Sequence, residues 1–192
     1  MNKTYKFEKN KKMKVFKFGG ASVKDTASVI NIASILHKYD EPLIIVISAM
    51  GKTTNALERV VDAYMKGDKI KAKEELEQIS NYHYSIASGL VSEKEDILFK
   101  ELSEIFTGLY AKIDELPSGF YNMEYDQIVS WGEIISTLII SRYLNIKGLN
   151  NEWVDRRQYL KTDSTFREGR IDWHLTTSLI KGVFILTELN AM

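Results

Sequence analysis

The run PLIIVIS, Pro42 to Ser48, restricts this chain more than any other stretch. It is continuously apolar and largely β-branched, with no polar alternation, so it reads as a strand buried on both faces. Strands of that kind belong to parallel sheets covered by helices. The neighbouring segments agree. Upstream, KVFKF (Lys14 to Phe18) is a short alternating β-type run that stops at Gly19-Gly20. Asp25 or Thr26 can cap the helix that follows, in which Val29, Ile32, Ala33 and Leu36 fall at i, i+3, i+4 and i+7. Downstream, Leu57, Val60, Val61 and Tyr64 repeat that stripe. Strand, glycine turn, helix, strand, turn, helix is the order of an α/β fold with a parallel sheet.

The rest of the chain is mostly helical in pattern. Residues 68–116 are rich in Lys and Glu, lack a strand signal and show helical spacing at Leu98, Leu102, Ile105 and Leu109. They predict a helical hairpin, an insertion or flap, with GLVSEKED near Gly89 as its turn and Pro117-Ser118-Gly119 as its end. A long buried helix is expected from about Glu124 to Leu144, then a strand at NNEWVD. LIKGVFIL near the C-terminus reads as a helix end, glycine, then strand. The 192 residues suit one domain over 14–192, behind a basic lead-in at 1–13 expected to be disordered. A sheet that stops on a strand at the terminus implies an incomplete domain.

Composition narrows the function classes. Lys+Arg and Asp+Glu each total 26, so no net charge draws the chain to nucleic acid or an anionic membrane. There is no cysteine, which removes disulfides, thiolate catalysis and Cys-based zinc sites. No apolar run approaches the roughly 18 residues of a membrane span, and the N-terminus lacks a signal-peptide core. The expected location is the cytoplasm.

Three stretches carry candidate chemistry. Val46 to Asn55, VISAMGKTTN, ends like a Walker A loop, but the leading glycine that such a loop needs falls on Val46, inside the strand. Instead, Ser48, Thr53, Thr54 and Asn55 cluster where the strand emerges, the usual place for ligands in open α/β sheets, though Thr or Asn there can equally cap the helix. In KFGGASV, Lys17 precedes a Gly-Gly turn with Ser22 beyond it. Gly19 and Gly20 allow positive φ and close approach of a polyanion. N–H groups at the helix start bind anions, and a strand-borne lysine neutralises phosphoryl charge; a tight βα turn with a solvated lysine is the alternative. In SWGEIIST, Glu133 sits among apolar neighbours and needs a partner, either a substrate ammonium or Arg142 or Arg156. Asp155, Arg156 and Arg157 stand at a strand end, as an ion pair or facing a site. His37, His83 and His174 have no metal-ligand spacing, and no metal site is expected.

Together these stretches resemble aspartate kinase, of the amino-acid kinase family. KFGGASV is similar to K-[FY]-G-G-[TS]-S-[VL], VISAMGKTTN to S-A-M-G-x-T-T, VSWGEIISTLI to a G-E-x-x-S helix, and WVDRRQYLKTD to a D-x-R segment. The resemblance covers about Lys14 to Val183. It implies a three-layer αβα sandwich with a mostly parallel sheet, incomplete at the C-terminus, and phosphorylation of the L-aspartate side-chain carboxylate by ATP with Mg2+ held mainly by ATP. It implies that Lys17 is catalytic, that Lys17, Gly19, Gly20 and Ser22 meet the ATP phosphates, and that Ser48, Thr54 and Glu133 bind aspartate. Partners would be aspartate and ATP, with a homo-oligomer for a full-length enzyme.

The chain departs from the pattern at Ala21, where the family carries Thr or Ser. VFILTELNAM does not continue into the family's G-R-G-G-S-D segment. The adenine-binding lobe and ACT domains would then be absent, and residues 14–192 would be an aspartate-binding lobe with little activity alone. The alternatives are an acetylglutamate- or glutamate-type kinase of the same family, or a non-catalytic aspartate-binding remnant.

Overall fold

A computed structural model describes residues 5–8, 13–92 and 97–187. Its elements run β1 (Tyr5–Glu8), β2 (Lys14–Phe18), α1 (Thr26–Leu36), β3 (Leu43–Ile47), α2 (Thr53–Met65), α3 (Lys69–Leu90), α4 (Ile97–Asp114), α5 (Tyr121–Val129), α6 (Trp131–Ile146), α7 (Trp173–Val183) and β4 (Phe184–Thr187). The order is that of an α/β fold. β2 and β3 pair in parallel, with Lys17 opposite Val46 and Phe18 opposite Ile47, and α1 crosses over between them. β1 and β4 form a second parallel pair. The lead-in is therefore not wholly irregular: Tyr5–Glu8 satisfy their main chain in a ladder with the C-terminal strand. Residues 1–4 and 9–12 of the lead-in, 93–96 of the hairpin turn and 188–192 of the tail lie outside the described residues.

The helices follow the stripes. Asp25 caps α1 by accepting from the Ser28 N–H at 2.8 Å, and Val29, Ile32, Ala33 and Leu36 are buried. Leu57, Val60, Val61 and Tyr64 of α2 are fully buried. α3 starts at an Asp68 cap and buries Leu76, Ile79, His83 and Ile86, and α4 buries Leu98, Leu102, Phe106 and Leu109. Each fully buried Leu or Ile contributes about 1.5–3 kcal/mol, so this helical layer dominates the core. Between α4 and α5 the Glu124 carboxylate is wholly enclosed, accepting from the Ser118 N–H at 2.8 Å and lying 3.0 Å from the Lys112 ammonium. Burial pushes its pKa up, but those partners outweigh it and hold it below the usual value.

Four readings change. β3 is not buried on both faces: Leu43, Ile45 and Ile47 turn inward, while Ile44 is 38% and Val46 47% exposed beside Val15 at 65%. The described helices cover one side of this strand pair. The predicted helix over 124–144 is two helices interrupted at Ser130, where a Ser and the nearby Gly132 make a favourable break point. NNEWVD joins no ladder among the described residues. Side chains of α6 take its polar groups instead: Asn145 accepts from the Asn151 N–H at 2.8 Å, and Trp153 donates to the Thr137 hydroxyl at 2.9 Å. Gly89 lies inside α3 rather than at its turn. A Cβ there would meet the Thr26 hydroxyl at 2.6 Å, so the glycine lets α3 seat against the start of α1.

Candidate active site

Both parallel strands end in turns that touch each other. β2 runs into Gly19, in extended backbone at φ −78° and ψ 168°, and then into one 3₁₀ turn, Gly20–Val23. Neither glycine needs the positive φ expected of the pair. What Gly20 supplies is space: a Cβ would lie 2.8 Å from the Ala49 carbonyl and 2.9 Å from that of Gly51. The Gly51 N–H donates to the Gly20 carbonyl at 3.0 Å. Lys17 is exposed, and its ammonium lies 3.4 Å from where a Cβ on Gly19 would stand. Ser22 is exposed, its N–H donating to the Gly19 carbonyl at 2.9 Å.

The second turn is held by α6. The Ser48 N–H continues the ladder to the Phe18 carbonyl at 3.0 Å, and its own carbonyl accepts from the buried Ser136 hydroxyl at 2.9 Å. The Ala49 N–H donates to Glu133 Oε1 at 3.4 Å. Gly132 permits this approach, because a Cβ would fall 3.0 Å from that of Ala49 and 3.3 Å from atoms of Leu57 and Thr53. The spacing of G-E-x-x-S thus has a physical reason: one face of α6 presents a gap, a carboxylate and a hydroxyl to one turn. Glu133 is half-buried and forms no ion pair with a described cation. Arg142, one of the two arginines the sequence offers it, is bound to Glu101.

The turn closes at Gly51, with φ +54°, a conformation that favours glycine. Lys52 follows at the start of α2, exposed and without a capping side-chain bond. Thr54 is half-buried in the first turn of α2, whereas its neighbour Thr53 is buried and bonded to His83 at 3.3 Å. His83 spends its Nδ1–H on the Ile79 carbonyl at 2.7 Å, leaving Nε2 to accept from the Thr53 hydroxyl. Burial drives its pKa down to about 4 against the raising effect of that carbonyl, so the ring is neutral. The sequence marks His83 only as a histidine without metal-ligand spacing, and the fold buries it beside the turn. The signal was its place in the apolar stripe of α3, between Ile79 and Ile86.

Arg157 pairs with both oxygens of Asp155 at 2.7–3.0 Å and lies 4.9 Å over the Trp131 ring. The ion-pair alternative for this segment is the one realised. Burial raises Asp155, but the guanidinium and the Arg157 N–H more than offset it and hold its pKa below the ordinary carboxylate range. Glu133, Asp155 and Arg157 border an open cleft of about 840 Å³ between β3, α6 and residues 150–157.

A lysine beside a glycine turn and a carboxylate gripping the next turn thus stand at the ends of two adjacent strands. The amino acid kinase family profile matches residues 12–187. The chain belongs to the amino acid kinase family. Within that family it is similar to the bifunctional aspartokinase/homoserine dehydrogenase 2 of Escherichia coli K12, 29% identical over 171 residues, which are 88% of this chain and 20% of that protein. It is also similar to chloroplastic aspartokinase 1 of Arabidopsis thaliana, 34% identical over 166 residues, 82% of this chain and 28% of that one. E. coli aspartokinase III, solved with lysine and aspartate, superposes with a TM-score of 0.78 at 22% identity, over 91% of this chain and 40% of the other. The same enzyme with aspartate and ADP gives 0.76 at 23%. These amino acid kinase residues thus span well under half the length of the relatives. Among them, as described, no three His, Asp or Glu side chains converge to hold a metal ion, and no helix is long and apolar enough to cross a membrane.

Proposed function

We propose that residues 14–192 are the aspartate-binding lobe of an aspartate kinase, which phosphorylates the side-chain carboxylate of L-aspartate with ATP to give 4-phospho-L-aspartate for lysine, threonine and methionine synthesis. The carrying observation is the meeting of Lys17, the Gly20–Gly51 backbone contact and the unpaired Glu133 at the ends of two adjacent parallel strands. Lys17, the N–H groups of Gly19 and Gly20 and the exposed Ser22 hydroxyl offer positive charge and hydrogen bonds to phosphate oxygens. Gly20 lets the two turns meet, because a Cβ there would strike the Ala49 and Gly51 carbonyls, and this contact sets the phosphate-facing turn beside the turn of Glu133. Mg2+ is then held mainly by ATP. Glu133 keeps one oxygen on Ala49 and offers the other to the α-ammonium, while Thr54 and Ser48 offer hydroxyls to the substrate's carboxylates. The side-chain carboxylate oxygen bonds to the γ-phosphorus as the bond to the ADP oxygen breaks. No proton moves and no enzyme-bound intermediate forms, so positioning and charge supply the catalysis.

Two facts support the reading: the relatives are named aspartokinases, and the neighbouring E. coli enzyme was solved with aspartate and with ADP. Cytoplasmic location and a homo-oligomeric full-length enzyme belong to the same proposal. Calorimetric titration of the chain with L-aspartate, L-glutamate and N-acetyl-L-glutamate tests it. L-Aspartate is expected to bind in preference, and Glu133→Gln to weaken it at least about tenfold, the loss of one charge-assisted hydrogen bond. Preference for acetylglutamate, or no heat with aspartate, refutes the assignment.

A further inference from the structure

Two consecutive side chains of α3 reach both turns of the candidate site. The Tyr82 hydroxyl donates to the main-chain carbonyl of Lys24, just past the 3₁₀ turn that follows β2. It also stands against Gly51, where a Cβ would come within 2.7 Å of the same oxygen. His83, fully buried, accepts the Thr53 hydroxyl at 3.3 Å and anchors its other nitrogen on Ile79 at 2.7 Å. The two rings meet edge to face, with centroids 5.0 Å apart and planes at 75°. Their support is firm, because Leu76, Ile79, Ile86 and Ala87 of α3 are in the core and Gly89 seats the helix on Thr26.

We propose that Tyr82 and His83 are positioning residues, through which α3 holds the phosphate-facing turn (19–24) and the amino-acid-facing turn (49–54) in one register. What the turns bind rests on the functional reading above; the brace itself does not. Both side-chain bonds end on protein atoms, so neither residue is assigned a ligand. Phosphoryl transfer to a carboxylate leaves the protein little covalent work, and a misplacement on the order of 1 Å between reacting groups lowers the rate about a hundredfold. Among the described residues, one hydrogen bond, Gly51 to Gly20, joins the turns directly. Tyr82 adds a second tie, and His83 orients the first turn of α2 by occupying Thr53, which leaves Thr54 facing away from that bond.

Amide hydrogen exchange on the whole 192-residue chain tests the brace. Tyr82→Phe keeps the ring and removes only the hydroxyl. It is expected to speed exchange about fivefold at residues 20–24 and 49–54, the worth of one net hydrogen bond, with α4 and α6 unchanged. His83→Leu is expected to loosen 51–54, and His83→Gln, which can accept from Thr53 and donate to Ile79, to restore protection. If His83→Leu does not fold, Tyr82→Phe and His83→Gln decide. Unchanged exchange in both turns, or equal acceleration in α4 and α6, overturns the brace. L-Aspartate titration separates the two readings. A wild-type chain that does not bind aspartate removes the substrate assignment, and the exchange result then judges the brace alone. If the wild type binds, Tyr82→Phe is expected to weaken aspartate several-fold; loosened turns with unchanged affinity overturn the positioning role.

Discussion

Adding a methyl group at Gly20 tests whether the two turns are in contact as described. In Gly20→Ala the new Cβ would stand 2.8 Å from the Ala49 carbonyl and 2.9 Å from that of Gly51, well inside ordinary contact. Both neighbours are main chain, so no side-chain rotation relieves them. The turns must separate, which costs about 1–3 kcal/mol by analogy with overpacked cores. The Gly51 N–H bond to Gly20 weakens as they part, adding about 1 kcal/mol. The sum, about 2–4 kcal/mol, lowers Tm by roughly 5–12 °C for a domain of this size. Gly19→Ala is the control. Its φ of −78° and ψ of 168° suit any residue, and the added Cβ meets only the flexible end of Lys17 at 3.4 Å. It should stay within about 0.5 kcal/mol of the parent. Urea unfolding and calorimetry read both variants. Equal losses at the two positions, or a Gly20→Ala loss below about 0.5 kcal/mol, would mean that the turns do not meet this closely.

Three further outcomes are expected. An unfolded histidine titrates near 6.5 and His83 in the fold near 4, so the unfolded chain takes up the proton first as pH falls. The linked stability, about 3 kcal/mol, is whole above pH 6.5 and lost on descending to about 4; urea unfolding at pH 7 and pH 4 should show a smaller difference in His83→Gln. Lys112→Met strands the enclosed Glu124 carboxylate and should cost about 3 kcal/mol, much of which Glu124→Gln in the same chain recovers. Lys17→Ala, at an exposed position, should leave stability within about 0.5 kcal/mol and L-aspartate affinity nearly unchanged, while in a full-length enzyme carrying this lobe kcat falls at least about tenfold. A large loss of aspartate affinity instead would contradict the phosphate role given to Lys17.

The first strands and helices were legible because their burial is periodic along the chain. Val29, Ile32, Ala33 and Leu36 can share a face only in a helix, whereas β3 was legible from its unbroken β-branched run, and its burial on one face through Leu43, Ile45 and Ile47 emerged only in the fold. The site stretches were legible for a related reason: glycines, a lysine and hydroxyls at strand ends stand out from the core pattern. Segment 150–155 forms no strand despite its β-type residues, since its polar groups are taken by Asn145 and Thr137 of a helix, a pairing invisible to local pattern.

By itself, then, the sequence determined the order of elements, the parallel pairing implied by strand–helix–strand, and the stretches where ligand chemistry is concentrated. All of these depend on spacings within about ten residues. Only the tertiary structure decided that Gly20 serves contact rather than positive φ, and that Glu133 grips Ala49 while Arg142 goes to Glu101. It also decided that His83, read as a scattered histidine, is buried on Thr53. Each of these turns on atoms more than 25 residues apart in the chain, brought together by strand pairing and helix packing, and no local propensity encodes such a meeting.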